Sequence, residues 1–297
     1  MSKVISLDAL SPNERRQFKQ LTSAPPVAWP TVILFGLLAV TYISVYWFGG
    51  AGVIPLWVGT LLNTVVGYVA FSVAHDSIHR AISSNTKLND AIGQMGLMLV
   101  LPYVDARMFR WAHILHHRFT SGDRDPDKAF QGAWWTLPFR WVLIDVAYFI
   151  HALKHGDKVS KPYLRRSLMY FAVVATGVIG FTWAGYGLEV FMLWFLPSRL
   201  VMLVLGFNFF WLPHVPHDVT QEENFTRATT VRFGFEWLLG PVMQYQNYHL
   251  IHHLYPMTPF YNNYKVWKLL EKELRKKELA IQHNFDIHPE IRPGTGH

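Results

Sequence analysis

The chain has 297 residues, no cysteine, 15 histidines and a net charge of +7, with 16% charged and 15% aromatic residues. Without cysteine it builds no disulfide, no thiolate metal site and no iron–sulfur cluster of its own. A soluble domain carries about a quarter charged residues; the deficit lies in long apolar runs, so the positive charge reads as membrane topology and gives no case for a nucleic-acid partner.

Residues 1–26 are polar and mixed in charge, without the basic–apolar–small pattern of a cleaved signal. Residues 27–48 and 53–74 are each long enough to span a hydrocarbon core of roughly 30 Å, and a glycine-rich turn at 49–52 joins them. The second run ends directly in His75. Residues 91–103 are apolar but too short to span, which predicts a re-entrant or interfacial segment. Residues 134–153 are aromatic-rich yet carry Arg140 and Asp145, which predicts an interfacial amphipathic segment. A second hairpin is predicted from 168–187 and 190–212, turning near 185–187, then a short apolar dip at 233–245 and a charged amphipathic helix over 264–281. The expected fold is all-α and integral to the membrane, a single domain over residues 1–297 with four transmembrane helices in two hairpins. Residues 1–26 and 262–297 belong to its cytoplasmic side.

The two short turns carry no Lys or Arg, whereas Lys3, Arg15, Arg16 and Lys19 precede the first span and the long loops hold nearly all the rest. The positive-inside rule then places both termini and every histidine cluster in the cytoplasm, and a bacterial inner membrane is the expected location. The glycosylation pattern at Asn224 falls on the wrong side to be used.

Three clusters stand at those cytoplasmic ends: His75 and His79 at i, i+4; His113, His116 and His117 at i, i+3, i+4; and His249, His252 and His253 in the same pattern. Such positions share one face of a helix. Each imidazole carries two polar nitrogens that need partners, and a metal is the simplest common one. A zinc site needs only three or four ligands. Eight imidazoles suit two metal ions with positions left open, and imidazole alone permits iron, copper, nickel or zinc. The sequence has no His-Glu-x-x-His of a zinc protease and no Glu-x-x-His of a carboxylate-bridged bundle. A membrane metal transporter would hold ligands near the bilayer midplane, where these spans have none.

His75-Asp-Ser-Ile-His79, His113-Ile-Leu-His-His117 and His249-Leu-Ile-His-His253 resemble the three histidine boxes of the membrane fatty acid desaturase and hydroxylase superfamily. Asn247-Tyr248-His249 and Leu254-Tyr255-Pro256 look closest to bacterial and carotenoid-hydroxylase-like members, and the likeness covers most of the chain. Box one has three intervening residues where animal acyl-CoA desaturases have four, which argues against an acyl-CoA. The resemblance implies two non-haem irons on the eight box histidines, activating O2 to oxidise an unactivated C–H bond in a lipid acyl chain. Carotenoid hydroxylation or ketolation, and oxidative decarboxylation to a terminal alkene, are the alternatives. It also implies a further ligand after the fourth span, His214 in preference to His217, and Asn247 acting through a bound water. Asp76, Asp125 and Asp127 sit beside boxes one and two, where carboxylates accept the far N–H of ligating rings. Arg199, the one basic residue inside a span, should face the bundle, bracing helices or meeting a polar substrate end. His151 and His155 read as interfacial, and His283, His288 and His297 as tail residues. With no cysteine, no Gly-rich dinucleotide fingerprint and no haem module in view, electrons should come from a partner attracted to the basic face: a ferredoxin, rubredoxin or cytochrome b5 with its reductase.

Overall fold

A computed structural model describes residues 5–295; Lys3 and His297 lie outside them. α1 (Pro12–Thr22) begins with a reciprocal cap, the Ser11 hydroxyl taking the Glu14 amide and the Glu14 carboxylate taking the Ser11 amide. α2 (Trp29–Gly50) and α3 (Leu56–Ile78) are both long and apolar enough to cross a membrane. On α2 the side chains of Trp29, Ile33, Leu37, Val40 and Trp47 are all exposed. A large apolar stripe turned outward at helical spacing is what a lipid-facing helix presents.

α4 (Thr86–Met98), capped by Asn85, lies in a groove of α3. Gly93 makes that approach possible, because a Cβ there would stand 1.6 Å from Ser77 Oγ. α5 (Ala106–Phe119) is capped by Asp105 and descends past the end of α3. α6 (Leu137–Val142) and α7 (Ile144–His155) meet at 79°, so residues 134–155 are bent rather than a straight span. α8 (Lys161–Phe181) opens a 54-residue apolar run that reaches His214. That run is interrupted where the sequence places a turn: Gly185 has φ +96°, a conformation only glycine adopts without strain. α9 (Gly187–Val190) and α10 (Leu196–Leu205) follow, with wide π-type turns over 191–195 and 206–211. Thr60 Oγ1 and Asn63 Nδ2 of α3 donate to the Met192 and Leu193 carbonyls at 2.6 and 2.7 Å, giving partners to backbone groups that water does not reach here. Among the described residues three helical runs are long and apolar enough to cross, or four if the bent α6–α7 pair counts as one.

The remainder forms a cap: β1 (Thr230–Phe233), α11 (Glu236–Val242), α12 (His249–Leu254), α13 (Asn263–Leu274), β2 (Leu279–His283) and β3 (Glu290–Arg292). β1 runs parallel to β2 with Val231 opposite Ile281, and β2 pairs antiparallel with β3. The all-α expectation is therefore corrected to mostly helical with a small sheet. The predicted helix over 264–281 ends at Leu274, because Leu279, Ala280 and Ile281 are buried as a strand against β1. His283 closes β2 instead of lying in a tail.

Two large apolar cores result, beside two small clusters around Ile92 and Leu239. One gathers Phe71, Met108, Phe109, Tyr148, Met202 and Phe210. The other gathers Phe18, Val231, Leu250, Ile251, Trp267 and Leu270 in the cap. The histidines lie where the cores meet: α12 gives Leu250 and Ile251 to the cap core, while Phe71 of the other core stacks on His75.

Candidate metal centre

All eight box histidines and His214 are buried, none more than 8% exposed. Their donor nitrogens converge as two groups. His75, His79, His113 and His252 form the first, and His116, His214, His249 and His253 the second. His117 joins the first, its Nε2 lying 3.1 Å from His113 Nε2 and 2.9 Å from His252 Nε2. Its ring stacks on His253 at 4.1 Å, so the groups adjoin.

The sharing between helices is reciprocal. On α5 the i, i+4 pair His113 and His117 serves the first group, while His116 serves the second. On α12 the i, i+4 pair His249 and His253 serves the second group, while His252 serves the first. Residues four apart stack on one face, and the residue three along turns towards the neighbouring group.

The second group is decisive for chemistry. His116 Nδ1 donates to Asp125 at 3.0 Å, with Asp127 at 3.3 Å. His249 Nδ1 donates to Gln246 Oε1 at 2.7 Å, His253 Nδ1 to Gln221 Oε1 at 3.4 Å and His214 Nδ1 to the Ala228 carbonyl at 3.4 Å. A neutral imidazole has one N–H. With each spent on an oxygen, the Nε2 lone pairs of His214, His249 and His253 point at one another, His249 Nε2 at 3.0 Å from His214 Nε2 and 3.1 Å from His253 Nε2. Lone pairs at that separation repel unless a cation lies between them. Two nitrogens each about 2.1 Å from one ion and at right angles about it stand about 3.0 Å apart, which is the spacing found. In the first group His75 Nε2 lies 3.1 Å from His113 Nε2, and His79 Nε2 is buried with no hydrogen-bond partner. The residues fit metal ions in both groups.

The electrostatics agree. Burial, and after it the neighbouring imidazoles, hold His113, His117, His252 and His253 well below the ordinary histidine range. Burial and then His116 and His79 do the same for His249. Burial followed by Arg110 lowers His79 to about 3. These rings are neutral, the form that ligates. For His116 burial acts in the same direction, but Asp127 and Asp125 outweigh it and push the ring up to about 9. These carboxylates hold its Nδ1–H and make Nε2 a more basic ligand. Asp127 is fixed in turn by the Tyr148 hydroxyl at 2.6 Å, and Asp125 by the Ser121 and Asp127 amides at 2.8 and 2.9 Å.

A sequence model of the fatty acid desaturase family matches residues 51–285. The chain belongs to the fatty acid desaturase family. Among curated proteins it is similar to a β-carotene ketolase of Paracoccus sp. strain PC1, 27% identical over 196 residues, 64% of this chain and 70% of that protein. A β-carotene ketolase of a second Paracoccus strain is 25% identical over 262 residues, 81% of this chain and 93% of that one. The chloroplastic omega-6 fatty acid desaturase of Glycine max is 26% identical over 259 residues, 73% of this chain and 55% of that protein.

In this desaturase-family chain the other predicted positions separate. Asp76, beside His75, takes the Thr31 hydroxyl at 3.2 Å and the Phe260 amide at 3.1 Å, so it ties box one to α2 and the cap and supports no ligand ring. His217 lies tilted beside Trp211, with its ring 6.4 Å from that of His214, outside both groups. Asn247 lines an aromatic cleft with Trp237, Tyr245 and Tyr264, and its Oδ1 has no partner. Arg199 spends its donors on Asp145, the Val142 carbonyl, Tyr103 and Ser198, which leaves no N–H for a polar substrate end. His151 and His155 pair with each other on α7, His151 near Trp111. Gln246, Gln221 and Tyr148 are supporting residues the sequence reading missed. Gln246 had a signal, standing three residues before His249 on the same helical path. Gln221 had none, because it reaches His253 from a loop.

Proposed function

We propose that this chain is a membrane di-iron oxidase that uses O2 to break an unactivated C–H bond in a lipid acyl chain, by desaturation or hydroxylation. The observation that carries the reading is the pair of adjoining histidine groups, one with five imidazoles and one with four, whose lone pairs converge. Two irons held there would supply O2 activation at the expense of external electrons. His75, His79, His113, His117 and His252 would hold one, and His116, His214, His249 and His253 the other. The chain's own part is to bind, orient and exclude water. Asp125 and Asp127 keep the His116 Nδ1 proton on the outer side of the ring, and Gln246 does so for His249. A tight apolar pocket against Phe71, Phe109 and Ala112 borders His75 and His113, where a hydrocarbon displaces water and a charged nucleophile finds no partner. His217 and Asn247 make no contact that this scheme needs.

The same reading includes four membrane crossings, both termini and both histidine groups in the cytoplasm, and a bacterial inner membrane. Its support is the absence of Lys and Arg between Trp29 and His75 and between Ser167 and Ser198. An external donor of the ferredoxin, rubredoxin or cytochrome b5 kind would dock on the basic face. A second reading is favoured by one observation: two relatives are named β-carotene ketolases, one aligning over 81% of this chain. There the same site would oxidise a carbon of a polyene end group.

Expression in one host with an ordinary lipid background and one accumulating β-carotene, with mass spectrometry of acyl lipids and pigments, tests both. New unsaturated or hydroxylated acyl chains support the first reading, and oxygenated carotenoids the second. No oxidised lipid from iron-loaded protein supplied with a donor would remove both.

A further inference from the structure

A cleft of about 640 Å³ lies between α7, α8 and α10, with apolar walls that include Phe149, Leu168, Val174 and Val178. Leu168, Phe171 and Phe195 at its rim are exposed, so it opens on the flank that faces lipid. Its floor is charged. Arg199 donates to both oxygens of Asp145 at 3.0 and 2.9 Å and to the Tyr103 hydroxyl oxygen at 3.0 Å, while that hydroxyl donates to Asp145. Asp145 also lines the inner pocket, which continues past Met202 and Met108 to Phe71 and Ala112 beside the histidines. One carboxylate is thus shared by two cavities, and the three polar residues stand between them.

Packing alone does not explain this cluster. A buried ion pair costs several kcal/mol in desolvation, and apolar side chains of equal volume brace helices as well. Its members come from the turn before α5, the first turn of α7 beside the bend, and α10. Those elements line both cavities. From Phe210 in the inner pocket to Trp194 in the cleft the helical path is 16 residues, roughly 24 Å at the usual rise. The inner pocket holds only about 30 Å³, so most of a long apolar guest would lie in the cleft and only a thin segment would reach towards the histidines.

We propose that the lateral cleft is the subsite for the end of a long hydrocarbon substrate remote from the oxidised carbon, and that Tyr103, Asp145 and Arg199 form the partition it passes. The assignment of the inner end rests on the oxidase reading; occupancy of the cleft is separately measurable.

The chain contains no cysteine, so single thiols can be placed at will. A175C puts one on the α8 wall of the cleft, and V173C puts one two residues along, where the side chain is 71% exposed and off the cleft. Full-length protein in nanodiscs is alkylated with pyrene maleimide in the presence of octadecanoic acid or of β-carotene. We expect one of these to slow alkylation of A175C severalfold and leave V173C unchanged. Pyrene-blocked A175C should lose turnover while keeping its iron, and Tyr103→Phe, which frees Asp145 from one donor, should raise KM more than it lowers kcat. Equal alkylation of A175C with and without both probes, or equal slowing of both variants, means that ordinary membrane lipid fills the cleft and overturns the proposal. Protection of A175C in a protein that oxidises no lipid in either host would keep the cleft and remove the oxidase reading.

Discussion

Asp127→Asn isolates one histidine group from the other. Asp127 stands 3.3 Å from His116 Nδ1, takes the Tyr148 hydroxyl at 2.6 Å and is buried. The substitution keeps its shape and leaves Asp125 at 3.0 Å, so His116 keeps a partner. What disappears is a carboxylate that, when ionised, helps raise the ring to about 9; burial lifts Asp127 itself to about 7, so the geometric loss of a partner at Nδ1 counts for more than the full loss of a charge. Loss of such an outer partner weakens metal binding by about 10–100-fold, or ~1.4–2.7 kcal/mol. The whole loss falls on one ion, because His116 belongs only with His214, His249 and His253 among the tetrads. Titrating the purified variant with a chelator and measuring metal per chain should show one ion leaving at 10–100-fold lower chelator than in the wild type, roughly in that range, and the other leaving where it did before. The thermal midpoint before chelation should move little, since the Tyr148 hydroxyl still meets an oxygen. Retention of both ions at the wild-type chelator concentration, or equal weakening of both, would refute the account of Asp127 as support for a single group.

His252→Ala and His253→Ala, made separately, should each deplete one ion and together both, read as metal per chain; unchanged content in the double variant would remove the ligand assignment. Cysteines introduced at Gly50 and Tyr186 should react from the side opposite to one at Lys277, as read with an impermeant label on sealed vesicles. In metal-free protein, burial first and Arg110 second keep His79 unprotonated down to about 3 against an ordinary 6.5. Over that window the unfolded chain binds more protons than the folded one, so stability rises with pH and is lost as pH falls from about 6.5 towards about 3, measurable by thermal melts across pH. Turnover should need an added ferredoxin and reductase and should slow as salt rises; full activity on NAD(P)H alone in donor-free detergent would exclude the partner.

The boxes were legible because helical spacing is local: His113 and His117 share a face wherever the helix is placed. How the nine rings divide into two groups was not legible, since it depends on how α5 docks against α12 across more than a hundred intervening residues. Gly185 was readable as a turn, because it sits in a Gly-Tyr-Gly step inside an apolar run. Asp76 was misread for a geometric reason. A residue next to a ligand on a helix points roughly 100° away from it, so adjacency to His75 sends its carboxylate to Thr31 and Phe260 instead. The sheet was missed because β1 and β2 are short, parallel and about fifty residues apart, and neither strand shows the alternation that marks one face as solvated.

The cross-feeding of ligands by α5 and α12 sets how this sequence can vary through descent. One residue inserted between His113 and His116 would turn His116 and His117 by roughly 100° and send each ring away from its own ion, damaging both groups at once. No compensating change on a single other helix could restore them. The stretches 113–117 and 249–253 are therefore closed to insertions and deletions, whereas between them length can change only in loops clear of Asp125, Asp127, His214, Gln221 and Gln246, which the same groups hold in place.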